Sequence, residues 1–228
     1  MSQPVLIAAL LAALPMTVAG APLPAPTTVI ELFQSQGCSS CPPANANVNA
    51  LIARRPDVLA LSYSVTYWDQ LGWKDGFAQA AFTQRQWDYA KTLHHNQVWT
   101  PQVVINGHTD IVGSNAKALD AALVALPGGA PVLAIAVDMV SVGRGNAPSG
   151  GASVWLVRYD PRIVEVAIKA GENNGRTLPH RNIVRALVRL GVWSGAPVTF
   201  DIKPAAPGLA SAVLLQATNG PILAAARG

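Results

Sequence analysis

The chain has two cysteines, Cys38 and Cys41, within the stretch "GCSSCP". Two thiols separated by two residues can exchange electrons with another thiol or disulfide, supply two ligands to a soft metal, or close a small structural disulfide. A loop this short removes little entropy from the unfolded chain, so a merely structural disulfide would add little stability. The spacing favours redox exchange, and the other two uses stay open.

The segments on either side of the pair predict a strand followed by a helix. Before the cysteines, "TTVIELFQS" is a β-branched and apolar run typical of a buried strand. After them, Val48, Leu51 and Ile52 recur at the spacing of one helical face. Pro42 and Pro43 suit the first turn of that helix, where a missing N–H costs little.

A helix that begins at the CxxC changes the acidity of the first thiol. The unpaired N–H groups and the positive end of the helix dipole favour a thiolate at this place. A stabilised thiolate is also a better leaving group, which makes the disulfide exchangeable. We therefore expect Cys38 to be the exposed nucleophile and Cys41 to be the resolving thiol.

Further strands and helices complete the first half. They are a strand over Val58–Thr66, a helix carrying Ala78, Phe82, Tyr89 and Leu93, strands in "TPQVVING" and "TDIVGS", and a helix carrying Leu119, Ala122, Leu123 and Leu126. Asn106-Gly107 between the two short strands is a strong hairpin signal. Ser114 is expected to cap the last helix.

The second half predicts mostly antiparallel strands. "LPGGAP" at 126–131 ends the preceding helix, and short apolar runs separated by Gly, Pro and Asn follow it. "IVRALVRL" suits either a strand or a short helix. We expect a small sandwich or barrel packed on the first domain. The predicted division is a signal peptide at 1–21, a CxxC domain at 22–130 and a β-rich domain at 131–228.

The first residues indicate export. An apolar block at Val5–Leu14 is followed by small residues, as in a secretory signal peptide, and it is too short for a permanent membrane span. We expect a periplasmic or secreted protein without a stable span in its mature chain, in a compartment where disulfides persist. A net charge of +4, without runs of like charge, argues against nucleic acid as a partner.

The order of these elements resembles the thioredoxin fold over about residues 28–126. In that family a cis-proline faces the CxxC, and the "TP" of Thr100-Pro101 occupies its place. Longer motifs are similar to a family of exported bacterial thioredoxin-like proteins catalogued as domain of unknown function 1223: "ELFQSQGCSSCP", "SYSVTYWDQLGWKD", "FTQRQWDYA", "WTPQVVINGH" and "NNGRTLPHRNIV". The expected fold class is α/β, with a thioredoxin-like domain of mixed sheet and flanking helices before a mostly antiparallel β domain. The resemblance implies no established substrate, and we expect no cofactor.

The chain departs from ordinary thioredoxins beside the cysteines. Gly37 replaces the aromatic residue that usually precedes the first cysteine, and Ser39-Ser40 replaces Gly-Pro, so the redox potential does not transfer. Thioredoxins bury a carboxylate six positions before the first cysteine, where it assists proton transfer. Here Leu32 holds that position, and Glu31 falls on the other face of a regular strand. Proton transfer at Cys41 then needs another group or water.

Residues elsewhere are candidates to complete the site. Ser39 and Ser40 lie between the cysteines, and Thr100 precedes the expected cis-proline. All three are candidates to line a substrate groove. Trp68 and Trp99 are candidates to line a substrate groove beside the sulfurs.

Two pairs of residues are weaker candidates. His94-His95 could add imidazole ligands for Cu(I) or Zn, although neighbouring histidines are more often surface or capping residues, and we expect no metal. His180 and Arg181 belong to the turn-rich stretch at 171–182 and could reach over the redox site.

Two functional hypotheses follow. In the first, an exported thiol-disulfide oxidoreductase uses Cys38 and Cys41 on a protein or on a small thiol or disulfide. In the second, the thioredoxin scaffold is a binding module, with or without Cu or Zn, and performs no redox turnover. A measured reduction potential distinguishes them.

Overall fold

A computed structural model describes residues 25–218 and 220–228 of the chain. The predicted signal peptide at 1–21 lies outside these residues. Within the described ranges, no helix combines the length and the apolar composition needed to cross a membrane.

The first half contains the predicted helices and strands in the predicted order. They are β1 Thr28–Gln34, α1 Cys41–Arg54, β2 Val58–Ser64, α2 Ala80–Thr92, β3 Gln102–Ile105, β4 Thr109–Ile111 and α3 Ala116–Ala122. Strand β1 pairs in parallel with β2 and antiparallel with β3. Each parallel pair needs a crossover, and α1 supplies it between β1 and β2.

The turn between β3 and β4 and the N-terminal cap of α3 are both formed by residues next to these elements in sequence. Asn106 and Gly107 form part of the β3–β4 turn with φ of 47° and 71°, in the left-handed region that Asn and Gly adopt most readily. The expected Ser114 cap is wrong. The side chain of Asn115 caps α3 instead, because its Oδ1 accepts the Ala118 N–H at 3.1 Å.

The second half consists of strands. They are β5 Leu133–Ile135, β6 Met139–Val142, β7 Ala152–Asp160, β8 Val164–Ala167, β9 Thr177–His180, β10 Ile183–Trp193, β11 Val198–Asp201, β12 Ala210–Ala217 and β13 Ile222–Arg227. The stretch "IVRALVRL" is therefore a strand, within β10. Strands β5, β6 and β11 form a three-stranded antiparallel sheet, and β8 pairs with β9.

Strands of both halves share one mixed sheet, in the order β13-β12-β7-β10-β2-β1-β3-β4. The junction is a short parallel contact in which Ile183 of β10 lies opposite Ser62 of β2. The expected separate sandwich or barrel is wrong for these strands. Alternating apolar residues predict that a segment is a strand, but they do not identify the neighbour with which it pairs.

Each face of the central sheet has its own core, and α1 and α2 lie on opposite faces. On the α1 face, Ile30 and Leu32 of β1 pack with Val48 and other residues. On the α2 face, Val29 and Phe33 pack in a cluster that extends to β7, β10 and β12. Alternation along β1 puts Leu32 on the face of α1 and the buried Glu31 on the other, as predicted.

Candidate functional site

Cys38 and Cys41 form a disulfide between the end of β1 and the start of α1. Their Cα atoms are 5.4 Å apart, within the usual range for a disulfide. The loop is turned tightly: the Cys38 N–H donates to the Ser35 carbonyl and the Cys41 N–H donates to the Cys38 carbonyl, both at 3.2 Å. The pair therefore lies at the strand–helix junction that the sequence predicts.

The exposure of the sulfurs differs from the expectation. Cys38 is 0% exposed and Cys41 is 1% exposed, while Ser39 and Ser40 between them are exposed. The prediction that Cys38 is the exposed thiol is wrong for this disulfide form. Residues of the second half form hydrogen bonds with the backbone of this loop.

These residues belong to the segment Gly171–Arg176, called the clamp segment below. The Asn173 amide donates to the carbonyls of Gln36 and Cys38, both at 2.9 Å. The neighbouring Glu172 accepts the Ser39 N–H at 3.0 Å. Asn173 is completely buried and Glu172 is exposed. Among the described residues, the clamp segment therefore forms hydrogen bonds with the CxxC loop, whereas the side chains of His180 and Arg181 form none with it.

The start of α1 offers fewer donors than an ordinary helix N-terminus. Cys41 is the first helical residue, and Pro42 and Pro43 follow it without N–H groups. Ser40 precedes the helix and its side chain makes no capping bond. Its hydroxyl instead lies 3.3 Å from the Cys38 sulfur. This hydroxyl can donate to a Cys38 thiolate when the disulfide is reduced.

Thr100 and Trp68 contact the same region. The Thr100-Pro101 peptide bond is cis, which confirms that prediction, and Pro101 is buried. The Ser40 hydroxyl lies 3.4 Å from the Thr100 carbonyl, and the Trp68 indole donates to the Thr100 hydroxyl at 2.8 Å. A Cβ at Gly37 would lie 3.5 Å from the Trp68 Cβ, in ordinary contact. Trp68 therefore lines the CxxC loop.

Trp99 and the adjacent histidines have contacts of their own. The Trp99 ring packs edge-on against His95, with ring centroids 4.9 Å apart, and the Trp99 carbonyl accepts from Gln86. The His95 Nε2 lies 3.1 Å from a carboxylate oxygen of Asp110. No group of three or more His, Cys, Asp or Glu side chains within the described residues is placed to hold a metal ion.

The buried carboxyl group of Asp75 binds the chain just before the CxxC. Asp75 accepts the N–H groups of Gln36 and Phe77 at 2.9 and 2.8 Å. Burial raises the pKa of its carboxyl, and the two amide hydrogen bonds oppose that rise. Trp73 adds a bond from its indole to the Gln36 side chain at 2.9 Å. Together these contacts fix the chain two residues before Cys38, but the motif "YWDQLGWKD" signals no such role by itself.

His180 is the last residue of β9. Its side chain is buried and packs edge-on against Phe77, with ring centroids 6.0 Å apart. Neither ring nitrogen has a hydrogen-bond partner among the described residues. Burial accordingly lowers the pKa of His180 to about 4.

This buried histidine should make the protein sensitive to mild acid. An unfolded histidine has a pKa of about 6.5, so below that pH the unfolded chain takes up a proton that the folded chain does not. The free energy of unfolding should fall as the pH drops from about 6.5 to about 4, by roughly 3 kcal/mol in total. Urea titrations across this range should show that the free energy of unfolding depends less steeply on pH in His180→Gln than in the unaltered protein. The exposed His108 supplies the control, since His108→Gln should leave the slope of the unaltered protein; equal slopes for all three proteins would contradict the prediction.

Comparison with known proteins places these features in a family. The X-ray crystal structure of a structural-genomics target from Agrobacterium tumefaciens is similar, with a TM-score of 0.70 and 31% sequence identity, covering 90% of this chain and 94% of that one. HBP35 of Porphyromonas gingivalis has a TM-score of 0.55 and 12% identity, covering 90% of this chain and 75% of that one, a likeness of fold alone. A search of curated proteins found no match. Residues 29–216 match the family model described as Protein of unknown function (DUF1223), and the chain therefore belongs to that family.

Proposed function

We propose that the protein is an exported thiol-disulfide oxidoreductase that acts through Cys38 and Cys41. The observation that carries the proposal is the position of the disulfide, between a buried strand and the first residue of a helix. The Ser40 hydroxyl and the Thr100 carbonyl lie beside it. Such a position gives the first thiol a hydroxyl donor and the positive end of a helix, both of which favour a thiolate.

The reaction requires only the two thiols and a partner disulfide. In the reduced protein, the Cys38 thiolate attacks one sulfur of the partner, the partner's S–S bond breaks and its second sulfur leaves as a thiolate that takes a proton. Cys41 then loses its proton and attacks the Cys38 sulfur, which releases the partner's first sulfur as a second thiol. Two electrons pass from the dithiol to the partner, and the Cys38–Cys41 disulfide remains. Reversal of the same steps oxidises a partner dithiol.

The scaffold belongs to the same proposal. Residues 28–126 are proposed to be a thioredoxin-like unit, and the order of β1, α1, β2, α2, β3, β4 and α3 supports this assignment. The parallel β1–β2 pair beside the antiparallel β3–β4 hairpin supports it as well. Export is proposed because a disulfide persists in oxidising compartments.

A second candidate is a binding module in which the disulfide is only a staple. The complete burial of Cys38 favours it, because an attacking thiolate needs access to a sulfur. The two candidates differ in the reduction potential of the disulfide. The reduction potentials of thiol-disulfide oxidoreductases lie between about −270 and −120 mV, whereas those of structural disulfides in secreted proteins lie below about −300 mV.

The deciding experiment is a redox titration of the purified protein. The protein is equilibrated with glutathione buffers of graded ratio, quenched with acid, and its free thiols are alkylated and counted by mass spectrometry. We expect a two-electron transition between about −270 and −120 mV. A Cys38→Ser/Cys41→Ser variant is the control and should take up no label. A disulfide that stays closed until below about −300 mV would favour the binding module.

A further inference from the structure

The clamp segment places a carboxylate at the start of α1. One oxygen of Glu172 accepts the Ser39 N–H at 3.0 Å, in the residue directly after Cys38. Hydrogen bonding to Ser39 lowers the pKa of the Glu172 carboxyl, so the group is ionised at neutral pH. A fixed negative charge therefore lies beside the position where a Cys38 thiolate forms.

Backbone donors near Cys38 are scarce. Pro42 and Pro43 have no N–H, and the Cys41 N–H is already bonded to the Cys38 carbonyl. The Ser39 N–H is thus one of few donors from which a thiolate at Cys38 could gain stability. Glu172 occupies it.

The exposed Glu172 is held in place by its neighbours. The buried Asn173 is tied to the CxxC by two bonds from its amide, and its own oxygen accepts from Arg176 at 2.8 Å. On the other side, Gly171 has a φ of 72° and a Cβ there would lie 3.2 Å from the Trp73 Cβ. The Gly171 carbonyl also accepts the Asn174 N–H at 3.1 Å, so hydrogen bonds hold the residues on both sides of Glu172 while its carboxylate accepts from Ser39.

From these contacts we propose that Glu172 suppresses the Cys38 thiolate and thereby slows attack by Cys38 on partner disulfides. The carboxylate repels a second negative charge and occupies a donor that the thiolate would use. The protonated thiol is favoured as a result. This inference rests on the proposed function and identifies Glu172 as a positioning residue that tunes the nucleophile.

Other charged groups border the same loop and stay unchanged when Glu172 is altered. Asp75 lies buried below Gln36, and Asp69 accepts the Asp75 N–H at 3.1 Å. Lys74 is exposed in the same stretch, and Arg176 pairs with Asn173. Since all four remain in the variants, a difference between variants reports the charge of Glu172.

The test measures the acidity of Cys38 alone. In a Cys41→Ser background, the rate of alkylation of Cys38 by iodoacetamide is followed against pH, with and without Glu172→Gln. Gln keeps an oxygen that can accept from Ser39 but carries no charge. We expect the midpoint of the profile to fall by roughly 0.5 pH unit, and alkylation below that midpoint to become roughly threefold faster.

Salt and a matched variant separate an electrostatic role from a structural one. The shift should shrink between low and high salt, because screening weakens exposed charges. Glu165→Gln removes the same charge from an exposed position in β8 and should leave the profile unchanged. An unaltered midpoint in Glu172→Gln, an equal shift in Glu165→Gln, or a shift that salt does not affect would each overturn the inference.

Failure of this inference can be told apart from failure of the proposed function. Alkylation requires no partner disulfide, so it reports on Glu172 even if the protein exchanges nothing. Conversely, a redox transition of the unaltered protein with an unaltered midpoint in Glu172→Gln would overturn only the inference.

Discussion

Cys41→Ser is expected to accumulate mixed disulfides on Cys38, whereas Cys38→Ser is expected to trap almost nothing. Cys38 lies before the helix with the Ser40 hydroxyl 3.3 Å from its sulfur, while Cys41 is the first residue of α1 and is followed by two prolines. Within the described part of the chain, a side-chain donor lies within reach of the Cys38 sulfur and none lies within reach of the Cys41 sulfur. Without Cys41, an adduct on Cys38 has no resolving thiol and should persist. The measurement is a non-reducing gel of each variant from the exported fraction, with mass spectrometry of the adducts.

The double variant Cys38→Ser/Cys41→Ser is the control for adducts that do not involve either sulfur. Cys38 is buried in the disulfide form. Trapping therefore also reports whether the Cys38 thiol becomes accessible to a partner when the disulfide is reduced. Equal trapping by the two single variants would contradict the assigned roles. Trapping by neither would favour the binding module, in which the disulfide is only structural.

The parts of the fold that sequence predicts are those set by neighbouring residues. Strand β1 follows from its run of β-branched and apolar residues. Helix α1 follows from a period of 3.6 residues and from Pro42 and Pro43 at its start. The β3–β4 hairpin follows from Asn106-Gly107, whose left-handed conformations few other residues adopt readily. The sequence therefore located the CxxC at a strand–helix junction correctly.

The contact between the clamp segment and the CxxC could not be predicted from sequence, for a physical reason. Asn173 binds the carbonyl of Cys38 across 135 positions of sequence, and every residue has a carbonyl, so no residue type marks the partner. The turn-rich stretch at 171–182 also contains charged residues, whose types suggest a role more readily than that of Asn173 does. No residue type marks the pairing of β10 with β2 either. Ile183 opposite Ser62 is its single register pair, and the hydrogen bonds beside it go to the backbone carbonyls of Ala60 and Asn182.

A buried ion pair on the α2 face explains why Glu31 is tolerated inside β1. Arg85 of α2 donates to both oxygens of Glu31, at 2.7 and 2.9 Å, and the two side chains are 5% and 1% exposed. Burial raises the pKa of Tyr89 well above its ordinary value, so its phenol stays protonated and donates to Glu31. Gln216 of β12 accepts from Arg85 at 3.2 Å. The pair thus connects β1, α2 and a strand of the second half.

Arg85→Met should be strongly destabilising, because it leaves the Glu31 carboxylate buried without a cation. The expected loss is about 3–5 kcal/mol in the free energy of unfolding, a large part of the stability of an ordinary domain. Urea titration followed by circular dichroism measures it. Arg54→Met is the matched control, since Arg54 pairs with Asp120 at the surface, with side chains 47% and 44% exposed. That change should cost less than about 1 kcal/mol.

A second variant tests whether the unpaired charge causes the loss. Glu31→Gln/Arg85→Met removes both charges, so it should recover a substantial part of the stability lost in Arg85→Met. The guanidinium carbon of Arg85 also lies 5.0 Å from the ring centroid of Tyr89 and 5.4 Å from that of Trp155. If the double variant is as unstable as Arg85→Met, this packing contributes more to the free energy of unfolding than the charge pair does. A loss in Arg85→Met no greater than in Arg54→Met would contradict both explanations, since each requires the buried guanidinium to hold α2 against the sheet.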